Sequence, residues 1–195
     1  MLNLLAISGS PRPDGHTAAL LSAFLQGAEA GGAEVTRLDA CKLRILGCTG
    51  CNACARRGEC ILQDDMPQVF QQLGQADLIV LASPLYFMGI SGQLKLLVDR
   101  CQTCWNRRYQ LRVPPLLPPK ERKGYFLSTG GAPNSKGSNF KPAIATITYF
   151  FDALDAKYLG TLTAADTDRS PVIDRPELLA TARSLGFQFT KGDSA

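Results

Sequence analysis

The chain has 195 residues, 45% of them hydrophobic and 19% charged, with a formal net charge of +4 at neutral pH. That size and balance suit one globular domain with a full core and exclude a chain disordered throughout, while so small a charge does not by itself imply a nucleic-acid partner. Seven cysteines, odd in number and clustered, argue against a secreted disulfide framework and for a reducing compartment where thiolates serve metals or redox chemistry.

In chain order, "LNLLAIS" (2 to 8) is a short apolar run ending in Gly, as expected of a strand buried on both faces. No run approaches the roughly 18 apolar residues of a membrane span, and the start reaches Gly and Pro without a basic leader, so a cytoplasmic protein with no membrane partner is expected. From Thr17, "TAALLSAFLQGAEAGG" sets Leu20, Leu21, Phe24 and Leu25 at helical spacing and stops at paired glycines. "AEVTRLDA" alternates as a second strand. There follow a short helix "MPQVFQQLGQA", a buried strand "DLIVLASPLY" (77 to 86) and an amphipathic helix "SGQLKLLVDRCQTC" (91 to 104). "KGYFLSTGG" is the fourth strand, "NFKPAIATITYFFDAL" a helix, "AKYLGTLTA" the fifth strand and "RPELLATARSLGFQF" a closing helix. "DTDRSPVIDRP" (166 to 176) reads as a polar loop and "TKGDSA" as a frayed end. This βα alternation predicts a doubly wound, five-stranded parallel α/β sheet with helices on both faces. Without repeats or linkers, 1–195 is expected to be a single domain carrying a cysteine-rich insertion at 41–62 and a basic, Pro-rich loop at 105–123.

In such sheets ligands sit outside the carboxyl ends of the strands, which directs attention to loops 8–17, 83–91 and 128–137. "SGSPRPDGHT" runs from the first strand into the first helix. Ser8, Ser10 and Thr17 supply hydroxyls, the glycines allow backbone amides to approach, and Arg12 matches a dianion. The segment lacks the Lys of a P-loop and the G-x-G-x-x-G of a dinucleotide fold, which disfavours an ATPase or an ordinary NAD domain. A phosphate loop is one reading of these residues; a capped turn with a surface Arg is the other.

"SGSPRPDGHT" together with "SPLYFMGISGQLKLLVDR" resembles the paired motifs of the flavodoxin-like NAD(P)H-dependent FMN reductases, over nearly all of the first 131 residues. The resemblance implies that Ser8, Ser10, Arg12 and Thr17, with Pro11, Gly15 and His16 of the same loop, hold the FMN phosphate. It implies further that Pro84, Leu85, Tyr86, Phe87, Met88 and Gly89 line the flavin ring and that Ser128, Thr129, Gly130 and Gly131 form a third flavin-contacting loop. A flavin needs a flat slot with apolar walls, which Tyr86, Phe87 and Met88 can supply, and close backbone approach, which Gly89, Gly130 and Gly131 permit. His16 is expected to start the helix and touch phosphate or water. Family members are commonly dimers or tetramers, so a homo-oligomer is implied, with NAD(P)H as electron donor and a small-molecule or protein acceptor. No catalytic side chain is expected, because the flavin carries the chemistry.

Cys48, Cys51, Cys54 and Cys60 follow a C-x2-C-x2-C-x5-C spacing, interleaved with Gly47, Gly50 and Gly58 so that the chain can wrap. Four thiolates in so short a run suit a [4Fe-4S] cluster better than two disulfides, whereas a Cys₄ zinc site usually joins two C-x2-C knuckles across a longer spacer. Free or redox-active thiols, zinc and plain packing are the alternatives. With "DDM" after the last Cys, the segment resembles the iron-sulfur flavoproteins, a branch of the same family that carries a cubane cluster beside FMN. Arg56 and Arg57 would lower thiolate pKa values or offset cluster charge.

Cys101 and Cys104 read as two small apolar residues on one helix face, with a helix-end disulfide as the alternative, and Cys41 stands alone. "NRRYQLRVPPLLPPKERK" (106 to 123) sets six Lys/Arg against one Glu. It reads either as a solvated loop or as an arm toward a neighbouring subunit's flavin or the phosphates of NAD(P)H. Nucleic acid is not expected, because the charge is confined to one loop and no fingerprint accompanies it. The sequence thus points to an FMN-binding NAD(P)H oxidoreductase of the flavin or quinone reductase type, carrying electrons between FMN and a cluster. A non-enzymatic electron carrier and a cysteine-based redox or metal sensor are the rivals.

Overall fold

The computed structural model describes residues 1–191; of the expected frayed tail, Thr190 and Lys191 are helical and the remainder lies outside the described residues. Strands β1 (Leu2–Ser8), β2 (Ala33–Asp39), β3 (Leu78–Pro84), β4 (Arg122–Thr129) and β5 (Ala156–Ala164) form one parallel sheet in the order β2-β1-β3-β4-β5. The helices are α1 (His16–Ala30), α2 (Ala53–Arg57), α3 (Met66–Gln75), α4 (Gly92–Arg100), α5 (Gln102–Trp105), α6 (Lys141–Ala153) and α7 (Pro176–Lys191). No helix among the described residues is long and apolar enough to cross a membrane.

Side chains alternate across a strand, so each inner strand feeds two cores. On β1, Leu5 and Ile7 pack with Val69, Leu73, Leu94, Leu97, Ile147 and Phe151 from α3, α4 and α6, while Leu4 and Ala6 pack with Leu20, Phe24, Ala182 and Phe189 from α1 and α7. This is why β1 and β3 read as unbroken apolar runs rather than alternating ones. The α1–α7 contact is close enough that a Cβ at Gly27 would lie 1.8 Å from the Arg183 carbonyl oxygen, and one at Gly186 1.9 Å from that of Phe24. The sheet order reverses between β1 and β3, which opens a crevice at their carboxyl ends.

Two expected elements end early. The third strand stops at Pro84, two residues before Tyr86, because the chain leaves the ladder to make a turn in which Tyr86 and Gly89 exchange backbone hydrogen bonds of 3.0 Å. The helix expected over 91–104 breaks at Cys101, whose N–H bonds the Val98 carbonyl at 3.0 Å in a tightened turn. It resumes as α5, widens into a π-helical stretch over Asn106–Leu111, and stops at Arg112 with φ 54°. Helix α2, inside the cysteine segment, has no apolar periodicity that would have announced it.

Candidate functional site

The three strand-end loops meet at the crevice through short bonds between them. The Gly9 N–H reaches the Ala82 carbonyl at 2.8 Å, and the Leu85 N–H reaches the Thr129 carbonyl at 2.8 Å. Ser128 Oγ donates to the Ser83 carbonyl at 2.9 Å, and the hydroxyls of Thr17 and Thr129 share a buried bond of 2.7 Å. A Cβ at Gly9 would meet Leu94 Cβ at 2.6 Å and Ser91 Oγ at 2.7 Å, so only glycine lets the first loop lie against the start of α4.

The first loop curls on itself: Ser10 Oγ donates to the Arg12 carbonyl at 3.1 Å and accepts from the Arg12 N–H at 3.3 Å. Helix α1 then begins at Gly15 without any side-chain cap and without an acidic residue in its first turn, whereas α4 is capped by Ser91 Oγ on the Leu94 N–H at 3.3 Å. Bare first-turn amides, the positive helix end and the exposed Arg12 suit an anion at this point. Ser8 and Ser10 also border a hollow of about 430 Å³ shared with Arg37 and Lys42.

Several residues of the expected flavin site have partners within the protein. Ser128 is fully buried on Ser83, and Thr17 is buried on Thr129, so their hydroxyls first of all join loops. His16 Nδ1 accepts the Val172 N–H at 3.4 Å, which makes His16 a tie between the α1 start and the 166–176 loop. A Cβ at Gly131 would lie 2.4 Å from the Asp168 carboxylate, and the Gly130 N–H is spent on the Ala164 carbonyl at 2.8 Å. At Gly131 the missing Cβ makes room for the Asp168 carboxylate, and the Gly130 N–H is used within the sheet. At the second loop, Leu85 packs on the core, while Phe87 is fully exposed and Tyr86 and Met88 are about half exposed. Phe87 and Met88 carry φ values of 50° and 63°, conformations that cost bulky residues about 1–3 kcal/mol each and persist mainly where a site uses them. The turn holds its apolar side chains outward, over the crevice mouth, rather than in the core.

The cysteine segment packs on the end of the α4–α5 run and on the π-helical stretch. Cys48, Cys51, Cys54 and Cys60 all line one cavity of about 530 Å³, closed on its far side by Gln102, Trp105 and Asn106. Gly50 (φ 66°) and Gly58 (φ 73°) make the reversals that wrap the chain; Gly47, expected to help, adopts no left-handed conformation. The base of the loop is fastened by the acidic pair that follows the last Cys. Asp64 accepts the Leu46 N–H at 2.8 Å and the Met66 N–H at 3.1 Å, and Asp65 accepts the Arg44 N–H at 2.8 Å. Asp64 is also ion-paired with Arg100, both side chains being buried, and Arg100 Nη1 reaches the Leu46 carbonyl at 2.9 Å. Burial by itself would raise the Asp64 carboxyl, but the bonds from Arg100, Leu46 and Met66 hold it below the usual carboxylate range. Asn106 Nδ2 donates to Cys54 Sγ at 3.1 Å, and Arg107 reaches the Gly58 carbonyl at 3.1 Å. Sequence reasoning missed Asp64, Arg100, Asn106 and Arg107 as builders of this pocket; the "DDM" after the last Cys was the only local signal.

Two physical points test whether these residues suit a cluster. Among the described residues no three His, Cys, Asp or Glu side chains gather around one point where an ion would sit. A tetrahedral zinc needs all its sulfurs at about 2.3 Å from one centre; a cubane takes each thiolate on a different iron and accepts sulfurs set wider around one cavity. The Nε of buried Arg100 has no acceptor in the protein, and the neighbouring Cys60 sulfur, together with Asp64, raises the guanidinium pKa against the opposing effect of burial. The exposed Cys51 thiol is lowered, chiefly by the Ala53 N–H and less by Thr49 and Arg56. An unspent buried donor and N–H groups aimed at sulfur suit thiolate ligands of a cluster.

Cys101 and Cys104 behave otherwise. Both are buried in the core without a disulfide, the Cys101 thiol donating to the Leu97 carbonyl at 3.6 Å, and burial pushes the Cys104 thiol up to about 12, so they pack as small apolar groups. The basic loop, exposed along much of its length, is tied to the rest of the chain at several points. Arg108 pairs with Asp155 at 2.6 Å, Lys120 pairs with Asp77 at 2.5 Å, and buried Arg122 donates to the carbonyls of Leu73, Gly74 and Pro118. A larger cavity, of about 900 Å³, lies under this loop at the amino ends of β4 and β5, away from the carboxyl-end crevice.

The sequence profile of the NADPH-dependent FMN reductases matches residues 2–163. An iron-sulfur flavoprotein of Methanocaldococcus jannaschii is 38% identical over 99 residues, 51% of each chain, so the chain spans about half the length of that relative. A second iron-sulfur flavoprotein of the same organism is 34% identical over 151 residues, covering 77% of this chain and 71% of its own. Among solved structures, an NAD(P)H:quinone oxidoreductase from Methanothermobacter marburgensis superposes with a TM-score of 0.77 at 17% identity, with 96% of both chains covered, a likeness of fold. The chain belongs to the NADPH-dependent FMN reductase family, on the branch where the iron-sulfur flavoproteins lie.

Proposed function

We propose that this chain binds FMN in the β1/β3 crevice and acts as an NAD(P)H-dependent oxidoreductase of the flavin or quinone reductase type, with Cys48, Cys51, Cys54 and Cys60 ligating a [4Fe-4S] cluster. The observation that carries the proposal is the pairing of two features: an uncapped α1 start reached from the loop of Ser8, Ser10 and exposed Arg12, and a separate cavity lined by all four cysteines. When bound, FMN supplies hydride acceptance from NAD(P)H and passage of electrons singly or in pairs, and a cluster supplies single-electron relay.

The protein's part is binding and orientation. The first-turn amides of α1 and the Arg12 guanidinium hold the phosphate, with the Ser10 hydroxyl fixing the loop that presents them. The Leu85–Gly89 turn would border the flavin, and the exposed side chains of Tyr86, Phe87 and Met88 would give it an apolar cover that excludes water. No side chain is assigned a proton-transfer role. Large exposed side chains, among them Tyr149 at 72% and Trp105 at 38% exposure, support assembly as a homo-oligomer that covers them, and seven cysteines outside disulfides suit a reducing, cytoplasmic setting. The acceptor is a small molecule or protein that reaches this crevice.

The test is an absorption spectrum with iron and sulfide assays on protein purified without oxygen, followed by steady-state NAD(P)H oxidation with a quinone acceptor. Flavin bands with about four irons per chain and turnover are expected. Flavin without iron removes the cluster; iron and flavin without NAD(P)H turnover leave an electron carrier; colourless protein that refuses added FMN leaves a cysteine-based sensor, a reading favoured only by the lowered pKa of Cys51.

A further inference from the structure

The π-helical stretch that replaces the expected surface loop does one specific thing: it carries Asn106, 4% exposed, onto the back wall of the cysteine cavity. Wide turns of this kind occur mostly at functional sites, since they lose regular helix bonding to re-aim a side chain. The Asn106 amide is fixed at both ends. Its Oδ1 accepts from Gln102 Nε2 at 3.5 Å, which sets the flip of the amide, and its Nδ2 donates to Cys54 Sγ at 3.1 Å. Arg107, the next residue, ties the stretch to the cysteine segment through the Gly58 carbonyl at 3.1 Å and to the following loop through the Pro114 carbonyl at 2.8 Å. A neutral thiol gains little from such a donor, because sulfur is a weak acceptor. A thiolate gains considerably more, and its gain grows with the negative charge placed on it.

We propose that Asn106 is a positioning residue that sets the reduction potential of a cluster held by the four cysteines, by directing its amide N–H at the Cys54 sulfur. This rests on the cluster reading given above. The step it would influence is one-electron transfer from reduced flavin, the electrons coming from NAD(P)H: a cluster held by the four cysteines would gain one electron with no ligand lost and no proton moved, and Cys54 would carry part of the added negative charge on its sulfur. An N–H already aimed at one of those sulfurs stabilises the reduced form more than the oxidised form and raises the potential. Arg100 adds a positive charge beside Cys60, but its ion pair with Asp64 makes it a poor experimental handle. Asn106 separates tuning from folding.

The test uses the whole chain, purified without oxygen, in a dithionite titration followed by EPR, with the flavin midpoint in the same sample as internal control. Asn106→Asp keeps the shape but puts an acceptor and a negative charge where the donor stood; Asn106→Leu removes the polar group. Both are expected to keep about four irons per chain and to lower the cluster midpoint while the flavin midpoint stays. The Leu variant should weaken one-electron reduction about tenfold, equivalent to about 59 mV, and the Asp variant should weaken it more. Iron-loaded variants with unchanged midpoints overturn the proposal. If only Asn106→Leu loses iron, Asn106→Asp decides; if both lose iron and retain flavin, Asn106 holds the cluster rather than tuning it, and the proposal fails. A wild-type chain with flavin and no iron overturns the cluster reading itself, before any variant is compared.

Discussion

The strand-end loops and the cysteine segment are built on opposite plans. The loops continue directly from β1, β3 and β4, and backbone bonds such as Gly9 to Ala82 and Leu85 to Thr129 hold them as extensions of the sheet. The cysteine segment has no strand of its own. Its base is closed by Asp64 and Asp65, its far wall comes from Gln102, Trp105 and Asn106, and it is tied by Arg100, Asn106 and Arg107 to groups 49 to 54 residues away in sequence. A site grown from a sheet inherits the rigidity of the sheet, whereas one held by distant side chains depends on each of them. The two should therefore fail independently.

The largest effect that tests this separation is Cys54→Ser. It is expected to abolish iron binding in protein purified without oxygen while FMN affinity, followed by flavin fluorescence, changes less than about twofold. Concerted loss of both cofactors would show the two sites to be one unit. Next, Asp64→Ala leaves the Arg100 guanidinium buried without its partner and should cost about 3–5 kcal/mol in urea unfolding, with iron lost from the fraction still folded.

The same group gives a pH dependence. The Asp64 carboxyl is lowered in the folded state, so its stabilising contribution is complete above the ordinary carboxylate value of about 3.9 and is lost as pH falls below that value. Acid unfolding curves of the wild type should steepen below about pH 4, and Asp64→Asn should remove that part of the slope. If the two curves run parallel, the pair does not act as described.

A smaller effect is expected at the first loop. Arg12→Ala should weaken FMN binding about 10- to 100-fold, the range of one lost charge-assisted contact, leaving iron content and unfolding unchanged because Arg12 is exposed. The smallest is Phe87→Gly. Removing a ring held at φ 50° should raise stability by about 1 kcal/mol or less while increasing the KM for NAD(P)H. Lower stability would mean that the ring is supported by packing rather than strained for use.

Much of this was legible beforehand. Leu4 to Ile7 and Leu78 to Ala82 are buried on both faces, and a strand so placed must be apolar at every position, so parallel order and layer count follow from pattern alone. The two strand-end motifs could be read because a sheet fixes where its strand ends lie. Spacing also announced the four cysteines as a group, since local chain wrap needs only nearby glycines, of which Gly50 and Gly58 serve.

What the sequence left open were the relations across long separations. Pattern alone did not show that the Gly130 N–H bonds the Ala164 carbonyl or that the Asp168 carboxylate from the loop after β5 packs against Gly131. The basic loop looked solvated because its charge is visible in sequence while its acceptors, Asp152, Asp155, Asp77 and the carbonyls of α3, are not adjacent to it. Asn106 looked like one more polar loop residue until a π-helical turn aimed it at Cys54. Local composition determined which segments form the sheet, the helices and the thiol group, because periodicity and chain wrap are short-range properties. Only the tertiary structure decided which distant donors face those sulfurs, because hydrogen-bond partners are chosen by packing in space.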